Sequence, residues 1–599
     1  MGFNAQIAQV FEQMAAMLEL TGADRFRVNA HSKAARTIKD HAGDLGPIAG
    51  DEKELTKLDG IGKGTAAKIA EFARTGKVEE HQELIGKVPG GLLGVLGVPG
   101  LGPKTVKLMW DTLGVESVED LKRAIDDGSL AGLPRMGTKT IENIRASLEF
   151  AESSGGRLPV GIARPIADSI VERMRGVEGV ARAAFAGSLR RGKETIGDID
   201  VLVTTSDPAR AMEAFRSMSG VTRVLAAGET KSSVRLEIPD EIGGRFGGGD
   251  GAGVQVDLRV VPAASWGAAL MYFTGSKEHN VRLRERAVRR GMTLNEYGLF
   301  EDDGGEGPPQ KRGVAPVASE TEEDIYRALE VAFIPPTLRE DRGEIDAADA
   351  GGLPELVALA DIRAELHSHT VASDGAMEII ESAREAKSRG FHTLAVTDHS
   401  KSSAVAGGLG VERLLEHIGA IRAADDEIKG ISILAGSEVD ILGDGSLDYD
   451  DDVLERLDVV VASPHAALTQ DSTKATKRLL RAIEHPLVHI IGHPTGRLIE
   501  RRRGLEPSMD EIIAAAVEHD VALEINAHWL RLDLRDTHVR AAVEAGCKIA
   551  IDCDVHGPGD YDNLVFGVDT GRRGWLTRDL CVNAWTKAKL HAWLRSKRP

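Results

Sequence analysis

Nine potential metal ligands stand at the ends of successive short β-like runs in the C-terminal third of this chain, alternating with helical patterns. The runs are IRAELHSHT, which supplies His367 and His369 with Asp374 just beyond, HTLAVTDHS (His399), ISILAGSEVD (Glu438), LDVVVASPH (His465), VHIIGHP (His493) and KIAIDCDVH (Asp554, with His556 at its end). Apolar strands separated by helices such as AMEIIESAREAKSRG and MDEIIAAAVEHD form a parallel sheet, so ligands at the strand ends gather on one face of a barrel. A single buried histidine usually packs on an apolar face and makes one hydrogen bond. Six histidines with two aspartates and one glutamate exceed the needs of one ion. Imidazole and carboxylate together suit several divalent cations around a phosphate.

The segments HSHT, TDHS, GSEVD, SPH, GHP and DVHGP resemble the motifs of the PHP (polymerase and histidinol phosphatase) metallo-phosphoesterases, over about residues 361 to 599. The resemblance implies a distorted (β/α)7 barrel with a centre of three ions, Zn2+, Mn2+ or Fe2+. By position its ligands are His367, His369, Asp374, His399, Glu438, His465, His493, Asp554 and His556, and none is missing. Some PHP domains have lost ligands and only support a neighbour, so the full set favours catalysis. Asp552, Asn526 and His528 are candidates for orienting the ligands or for structural roles.

With 599 residues the chain exceeds one core and predicts several domains. A hydrophobic content of 42% with 28% charged residues is that of a soluble globular protein, and no apolar run approaches membrane-spanning length. The opening MGFNAQIAQVFEQMAAMLEL lacks a basic region and a cleavage site, and Gln6 departs from the myristoylation pattern. An amphipathic helix and a cytoplasmic location are expected. Cys547, Cys553 and Cys581 have no metal-clip spacing, and an odd count argues for buried thiols. A net charge of -19 does not exclude DNA, because charge is screened beyond roughly 8 Å and local basic surfaces decide. Aromatic content of 4% argues against a long base-stacking groove and for duplex or gapped DNA.

Three similar turns divide the first 150 residues: LDGIGKGTAAKI from Leu58, VPGLGPKTVKLMW from Val98 and LPRMGTKTIENI from Leu133. A glycine turn that opens a helix presents backbone N–H groups and the positive helix end to a phosphate, and nearby lysines add charge. Alone, each would read as an ordinary αα-hairpin. Together they resemble helix-hairpin-helix DNA-binding motifs, with Gly60, Gly62 and Lys63 in the first and Gly100, Gly102 and Lys104 in the second. The third, with Arg135, Met136 and Gly137, departs from the GxG pattern.

In AFAGSLRRGKETIGDIDVLV an apolar run breaks at Gly187-Ser188 and resumes around Asp198 and Asp200. Residues two apart on a strand point to one face, so both carboxylates are able to grip the same cations. Asp257 interrupts a second strand-like alternation, VQVDLRVV, after the glycine-rich GGRFGGGDGAG. Three carboxylates suffice for two Mg2+ or Mn2+ ions, one activating a 3′-hydroxyl and the other cradling a triphosphate.

Residues 1 to about 340 resemble the family X DNA polymerases, which include DNA polymerase beta, through these motifs and through YFTGS (Tyr272 to Ser276), TLNEYGLF and FIPPTLRE. The resemblance implies catalysis at Asp198, Asp200 and Asp257. It implies triphosphate contacts from Arg157, Gly187, Ser188, Arg191 and Gly197, sugar discrimination by Tyr272 and Phe273 beside Gly275, and minor-groove contacts from Asn280 and Arg284. Gln255 stands where polymerase beta has an arginine, two places before the third aspartate. The helical unit of the family binds a 5′-phosphate, here through Lys33, Lys57 and Lys63. In some members it removes a deoxyribose phosphate through a lysine Schiff base, and Lys68 occupies that position. His31 and Gly64, however, replace a Tyr and a Lys of polymerase beta.

The expected chain is a multidomain α/β and α+β protein. Its bounds are a helical DNA-binding domain over 1–88, a helix-hairpin-helix subdomain over 89–150, a nucleotidyltransferase palm with a mixed sheet over 151–262, a nucleotide-selecting thumb over 263–340, a linker over 341–360 and the PHP domain over 361–599. The expected function is filling of short gaps in DNA repair by a monomer using dNTPs, with 3′–5′ exonuclease action by the PHP domain and AP-site cleavage open. Alternatives are a PHP phosphomonoesterase or a structural barrel on a DNA-binding scaffold.

Overall fold

The structure is a computed structural model describing residues 3–597 except 42, 59, 97, 99–100, 135, 138–139, 142–143, 146–147, 149–156 and 239–252. It divides into two compact units, Met1–Gly156 with Glu237–Gly253, and Arg157–Leu236 with Val254–Pro599. Gly100, Arg135 and most of the glycine-rich loop lie outside the described residues.

The first unit is helical. Phe3–Leu20 and Arg25–Asp40 form an antiparallel pair, and the opening segment is the helix its periodicity predicts. Two later helices start at the glycine turns: Gly62 is the extended N-cap of Lys63–Thr75, and Gly102 that of Pro103–Leu113, with proline in its first turn. Phe11, Met14, Leu55, Ile69, Leu84, Val106 and Leu121 share one core. At Gly60, φ is 85° and a Cβ would lie 2.8 Å from Lys33 Cε, so any other residue would be strained there and would displace Lys33.

The second unit opens on a mixed five-stranded sheet in the order Val180–Phe185, Asp198–Thr205, Gly253–Val260, Lys231–Glu237, Val221–Ala227. Asp198–Thr205 runs antiparallel to Val180–Phe185 and parallel to Gly253–Val260. Helices Trp266–Thr274, Lys277–Arg289 and Glu322–Ala328 and the hairpin Met292–Asn295/Gly298–Glu301 follow. Residues 341–360 carry the helix Glu344–Asp349, whose Ile345 and Ala348 enter the core of the preceding subdomain with Leu356.

Seven parallel strands in sequential order, from Ala364–Glu365 to Ile549–Asp552, make the C-terminal barrel. His369 N–H donates to the Val555 carbonyl at 2.7 Å and Val555 N–H to the His367 carbonyl at 3.1 Å, which joins the first strand to the last. The barrel also completes the palm core, since Ile499, Leu532 and Phe566 cluster with Val160, Ile196 and Leu258. Gly161 lies under the Trp529 ring, where a Cβ would come 2.1 Å from Trp529 Cγ. Cys547, Cys553 and Cys581 are buried free thiols, as the odd count predicts. Among the described residues no helix is long and apolar enough to cross a membrane.

Candidate active sites

Strand register brings the palm carboxylates together. Asp200 pairs directly with Asp257, and Asp198 with Gln255. Burial pushes the Asp200 carboxyl up to about 7, aided by the charges of Asp198 and Asp257. Burial and then Asp257 raise that of Asp198. Asp257, 5% exposed, is held from both sides: Gln255 Nε2 donates to Oδ1 at 3.0 Å, and Lys231 Nζ stands 2.7 Å from Oδ2. Carboxylates crowded this way repel one another, and oxygen donors at such a spacing fit Mg2+ or Mn2+. The role of Lys231 was not legible beforehand, because it comes from another strand and its sequence neighbourhood carries no motif.

Of the residues expected around a nucleotide, Gly187 abuts Asp200 and the charge of Arg157 bears on Asp198. Gly187, with φ 65°, would place a Cβ 2.7 Å from Asp200 Oδ2, so only glycine brings the Ser188 turn this close. Arg157 donates to Thr195 Oγ1 at 2.9 Å and to the Thr195 carbonyl at 2.6 Å, and its Nη1 lies 3.3 Å from where a Gly197 Cβ would be. Arg191 donates to the Thr274 carbonyl at 2.6 Å and to Glu340 Oε1 at 3.0 Å. Tyr272 and Phe273 meet edge to face at 5.2 Å, and Arg259 caps the Phe273 ring at 4.4 Å. Gly275, φ 69°, ends their helix. Asn280 donates to the Tyr272 carbonyl at 2.7 Å, and Arg284 lies one turn further along the same helix face.

In the helical unit, Lys33, Lys57, Gly60 and Gly62 line one groove of about 680 Å³ with Asn29 and the exposed Phe26. Lys63 and Lys104 are exposed in the first turns of their helices. Lys68 belongs to a different cluster. Its Nζ pairs with Glu80 at 3.1 Å, a carboxylate that also binds Arg27 and faces His31 at 3.7 Å.

The nine barrel residues converge. Three sets bring their ligand atoms within 4.8 Å of one another: His369, Asp374, His399 and His556; His367, His369 and Asp554; and His399, Glu438 and His465. Glu438, 1% exposed, is the hub, with His399 Nδ1 at 2.8 Å, His493 Nε2 at 2.9 Å, and His367 Nε2 and His465 Nε2 both at 3.3 Å. Burial opposes protonation of His399, yet Glu438 and Asp374 push it up to about 10. The same contest, with Glu438 and Asp440, takes His465 up to about 9. His493 and His369 go the other way: burial, helped by Arg531, pushes His493 down to about 3, and burial also lowers His369. His369 Nδ1 is buried without a hydrogen-bond partner, 3.9 Å from Asp374. A negative pocket lined by imidazoles fits divalent cations.

Around this cluster stand groups that sequence patterns did not single out. His367 Nδ1 contacts Glu524 Oε1 at 2.6 Å, His465 Nδ1 contacts Asp440, and Arg531 Nε lies 3.7 Å from Asp554. Asp440 ends the GSEVD segment and Glu524 sits mid-strand in ALEIN, where alternation with apolar neighbours was the available signal. Of the flanking candidates, Asn526 Nδ2 donates to Asp554 at 3.0 Å, and Asp552 accepts from Leu366 N–H and Asn583 beneath the cluster. His528 stacks on Trp529.

Five family models match the chain: a helix-hairpin-helix domain over residues 3–78, a SAM-like helix-hairpin-helix tandem over 92–149, DNA polymerase beta palm over 157–236, DNA polymerase beta thumb over 269–340, and a PHP domain over 365–528. The DNA polymerase/3′-5′ exonuclease PolX of Bacillus subtilis (strain 168) is 36% identical over 589 residues, 98% of this chain and 99% of that protein. A probable phosphatase of Thermoanaerobacter sp. (strain X514) is 29% identical over 245 residues, 39% of this chain and 95% of its own. One from Caldanaerobacter subterraneus subsp. tengcongensis is 30% identical over 203 residues, 32% of this chain and 75% of its own. The chain belongs to the family X DNA polymerases that carry a C-terminal PHP domain.

Proposed function

We propose that this chain fills short gaps in DNA during repair and trims primer 3′-ends with its PHP barrel. The observation that carries the reading is the pairing of Asp200 with Asp257 across parallel strands, beside the Gly187-Ser188 turn, in a chain whose barrel also brings nine candidate ligands together. Asp198, Asp200 and Asp257 would hold two Mg2+ or Mn2+ ions. His367, His369, Asp374, His399, Glu438, His465, His493, Asp554 and His556 would hold three ions, Zn2+, Mn2+ or Fe2+. Such ions neutralise phosphate charge and lower the pKa of water from 15.7 to about 7.

The chain's own residues do the rest. Arg157, Ser188, Arg191 and Gly197 grip the triphosphate, the guanidinium forks matching its oxygens. The Tyr272–Phe273 edge crowds the sugar against a 2′-hydroxyl, while Asn280 and Arg284 touch the minor groove. Gln255 and Lys231 orient Asp257 through its two oxygens. The turns at Gly60–Gly62 and Gly100–Gly102, with Lys63 and Lys104, hold backbone phosphates, and Lys33 and Lys57 receive a 5′-phosphate in their groove. Lys68, paired with Glu80, stands at the position of the Schiff-base lysine. We keep the bounds 1–88, 89–150, 151–262, 263–340 and 361–599, and place the protein in the cytoplasm with its DNA and dNTPs. A monomer is the expected state.

The curated phosphatases similar to the barrel favour a second reading, a phosphomonoesterase acting on 3′-phosphates. A labelled primer on a gapped duplex separates the two. Released mononucleotides support the exonuclease, whereas inorganic phosphate from a 3′-phosphorylated end, without shortening, replaces it with the second reading.

A further inference from the structure

The loop that carries Ser188 and Arg191 is seated on the C-terminal barrel. Gly192, φ 68°, lies against the barrel helix Leu564–Arg573, where a Cβ would come 3.0 Å from Asp569 Cβ. The last residue of that helix, Arg573, is buried and its guanidinium donates to three acceptors. Its Nη1 donates to the Arg191 carbonyl at 2.8 Å and to Glu340 Oε1 at 2.9 Å, and its Nη2 donates to Asp536 Oδ2 at 2.7 Å. Glu340 Oε1 also accepts from Arg191 Nε at 3.0 Å. One carboxylate oxygen is therefore shared by an arginine of the palm and an arginine of the barrel. Lys193 Nζ is 3.6 Å from the other oxygen.

We propose that Arg573, a barrel residue, is a positioning residue of the polymerase's nucleotide site. It pins the Arg191 main chain and takes up part of the Glu340 charge, leaving the Arg191 guanidinium able to exchange toward a triphosphate. The inference rests on the reading of Arg191 as a triphosphate contact. Without Arg573, Glu340 would keep only Arg191 and Lys193 as cationic partners, and the triphosphate would compete with a buried carboxylate for Arg191. Nucleotide binding should weaken more than turnover. No hydrogen bond or ion pair among the described residues links Arg573 to the nine barrel ligands; its barrel partner, Asp536, heads the helix Asp536–Glu544, and the same Oδ2 also accepts from Arg342 at 2.9 Å. Primer degradation should therefore be spared.

The test is single-nucleotide gap filling by the full chain, with thermal unfolding and primer degradation followed in parallel. Arg573→Met should raise the dNTP KM at least about five-fold, as expected for loss of a charge-assisted hydrogen bond, with kcat within about two-fold and degradation unchanged. Arg573→Lys, which keeps the cation but not the fork, should give a smaller rise. Adding Glu340→Gln to Arg573→Met should bring KM back toward wild type by removing the competing carboxylate. An unchanged KM in folded Arg573→Met, equal losses in KM, kcat and degradation, or no rescue by Glu340→Gln would each overturn the proposal. If Arg573→Met does not fold, an unchanged KM in Arg573→Lys overturns it instead. Arg191→Ala separates the two levels. If it raises KM while the Arg573 variants do not, only the positioning role fails; if it leaves KM unchanged, the triphosphate reading of Arg191 fails and takes this inference with it.

Discussion

Asp200 and Asp257 face each other in register on neighbouring parallel strands, with Gly187 packed so tightly against Asp200 that no side chain fits between. A cation bound among Asp198, Asp200 and Asp257 would relieve their mutual repulsion. Asp200→Ala should abolish dNTP addition, a loss of at least about a hundred-fold, as for removal of a charge-stabilising group at a reacting centre. Degradation of primers should continue. Gap filling at the wild-type rate by this variant would remove the palm assignment.

Lys231 is the cation that already sits on Asp257. Replacing it by alanine removes a positive charge that competes with a divalent ion and offsets the carboxylates. Lys231→Ala should therefore unfold at a lower temperature without Mg2+ and show a larger upward shift when Mg2+ is added. A shift equal to that of wild type would show that the lysine does not compete for the site.

The Lys33–Lys57 groove gives a prediction on substrate choice. A gap carrying a 5′-phosphate should bind more tightly than one ending in a hydroxyl, and the advantage should shrink as salt rises. Lys33→Ala should erase most of the difference. Equal affinities for the two gaps across a salt titration would empty this groove of its assigned ligand.

The candidate residues that the fold brings together were legible wherever a local pattern carries them. The two-residue period puts Asp198 and Asp200 on one face, and strand-end histidines alternating with helices specify a barrel. Contacts between distant segments were not legible. Glu524 reaches His367 from 157 residues away, and Arg573 reaches Glu340 from 233. No spacing rule links such pairs, because barrel closure and domain packing bring them together. The same holds for Trp529 over Gly161: the glycine reads as an ordinary helix position until the barrel loop is laid across it. The linker expected over 341–360 reads as polar and glycine-containing, yet Ile345 and Ala348 give its short helix an apolar side that the preceding subdomain buries.

Glu322 ties the thumb to the palm and sets an acid limit on stability. Its carboxylate accepts from Arg190 at 2.9 and 2.7 Å and from Arg339 at 2.6 Å. Burial alone would raise its pKa, but Arg339 and Arg190 hold it down to about 2 against an ordinary 4.5. A carboxylate depressed on folding contributes stability fully above its unfolded pKa and loses that contribution as pH falls through the folded one. The contribution should be present above about pH 5 and fade toward pH 2, amounting to a few kcal/mol at about 1.36 kcal/mol per pKa unit. Glu322→Gln should be less stable at pH 7 and show a flatter loss of stability between pH 5 and 3. Parallel curves for the two proteins over that range would mean the network does not govern acid unfolding.

Glu438 faces five histidines, and His367 is locked between Glu438 and Glu524, so loss of either ligand should disorganise the whole barrel centre rather than one corner of it. His367→Ala should lose primer degradation by at least about a hundred-fold and keep gap filling. Chelation of wild type should have a second signature: with the ions stripped, Asp374 and Glu438 are left to the histidines and Asp554 to the histidines and Arg531 for charge balance, and the thermal midpoint should drop. His367→Ala, which cannot assemble the centre, should show little of that drop. A barrel that serves only as scaffold predicts another pattern, in which wild type degrades nothing with any divalent ion and chelator leaves its unfolding unchanged. The decisive set is degradation, extension and thermal unfolding of wild type, His367→Ala and Asp200→Ala, each with and without chelator. Undiminished degradation by folded His367→Ala would take the nuclease away from this barrel.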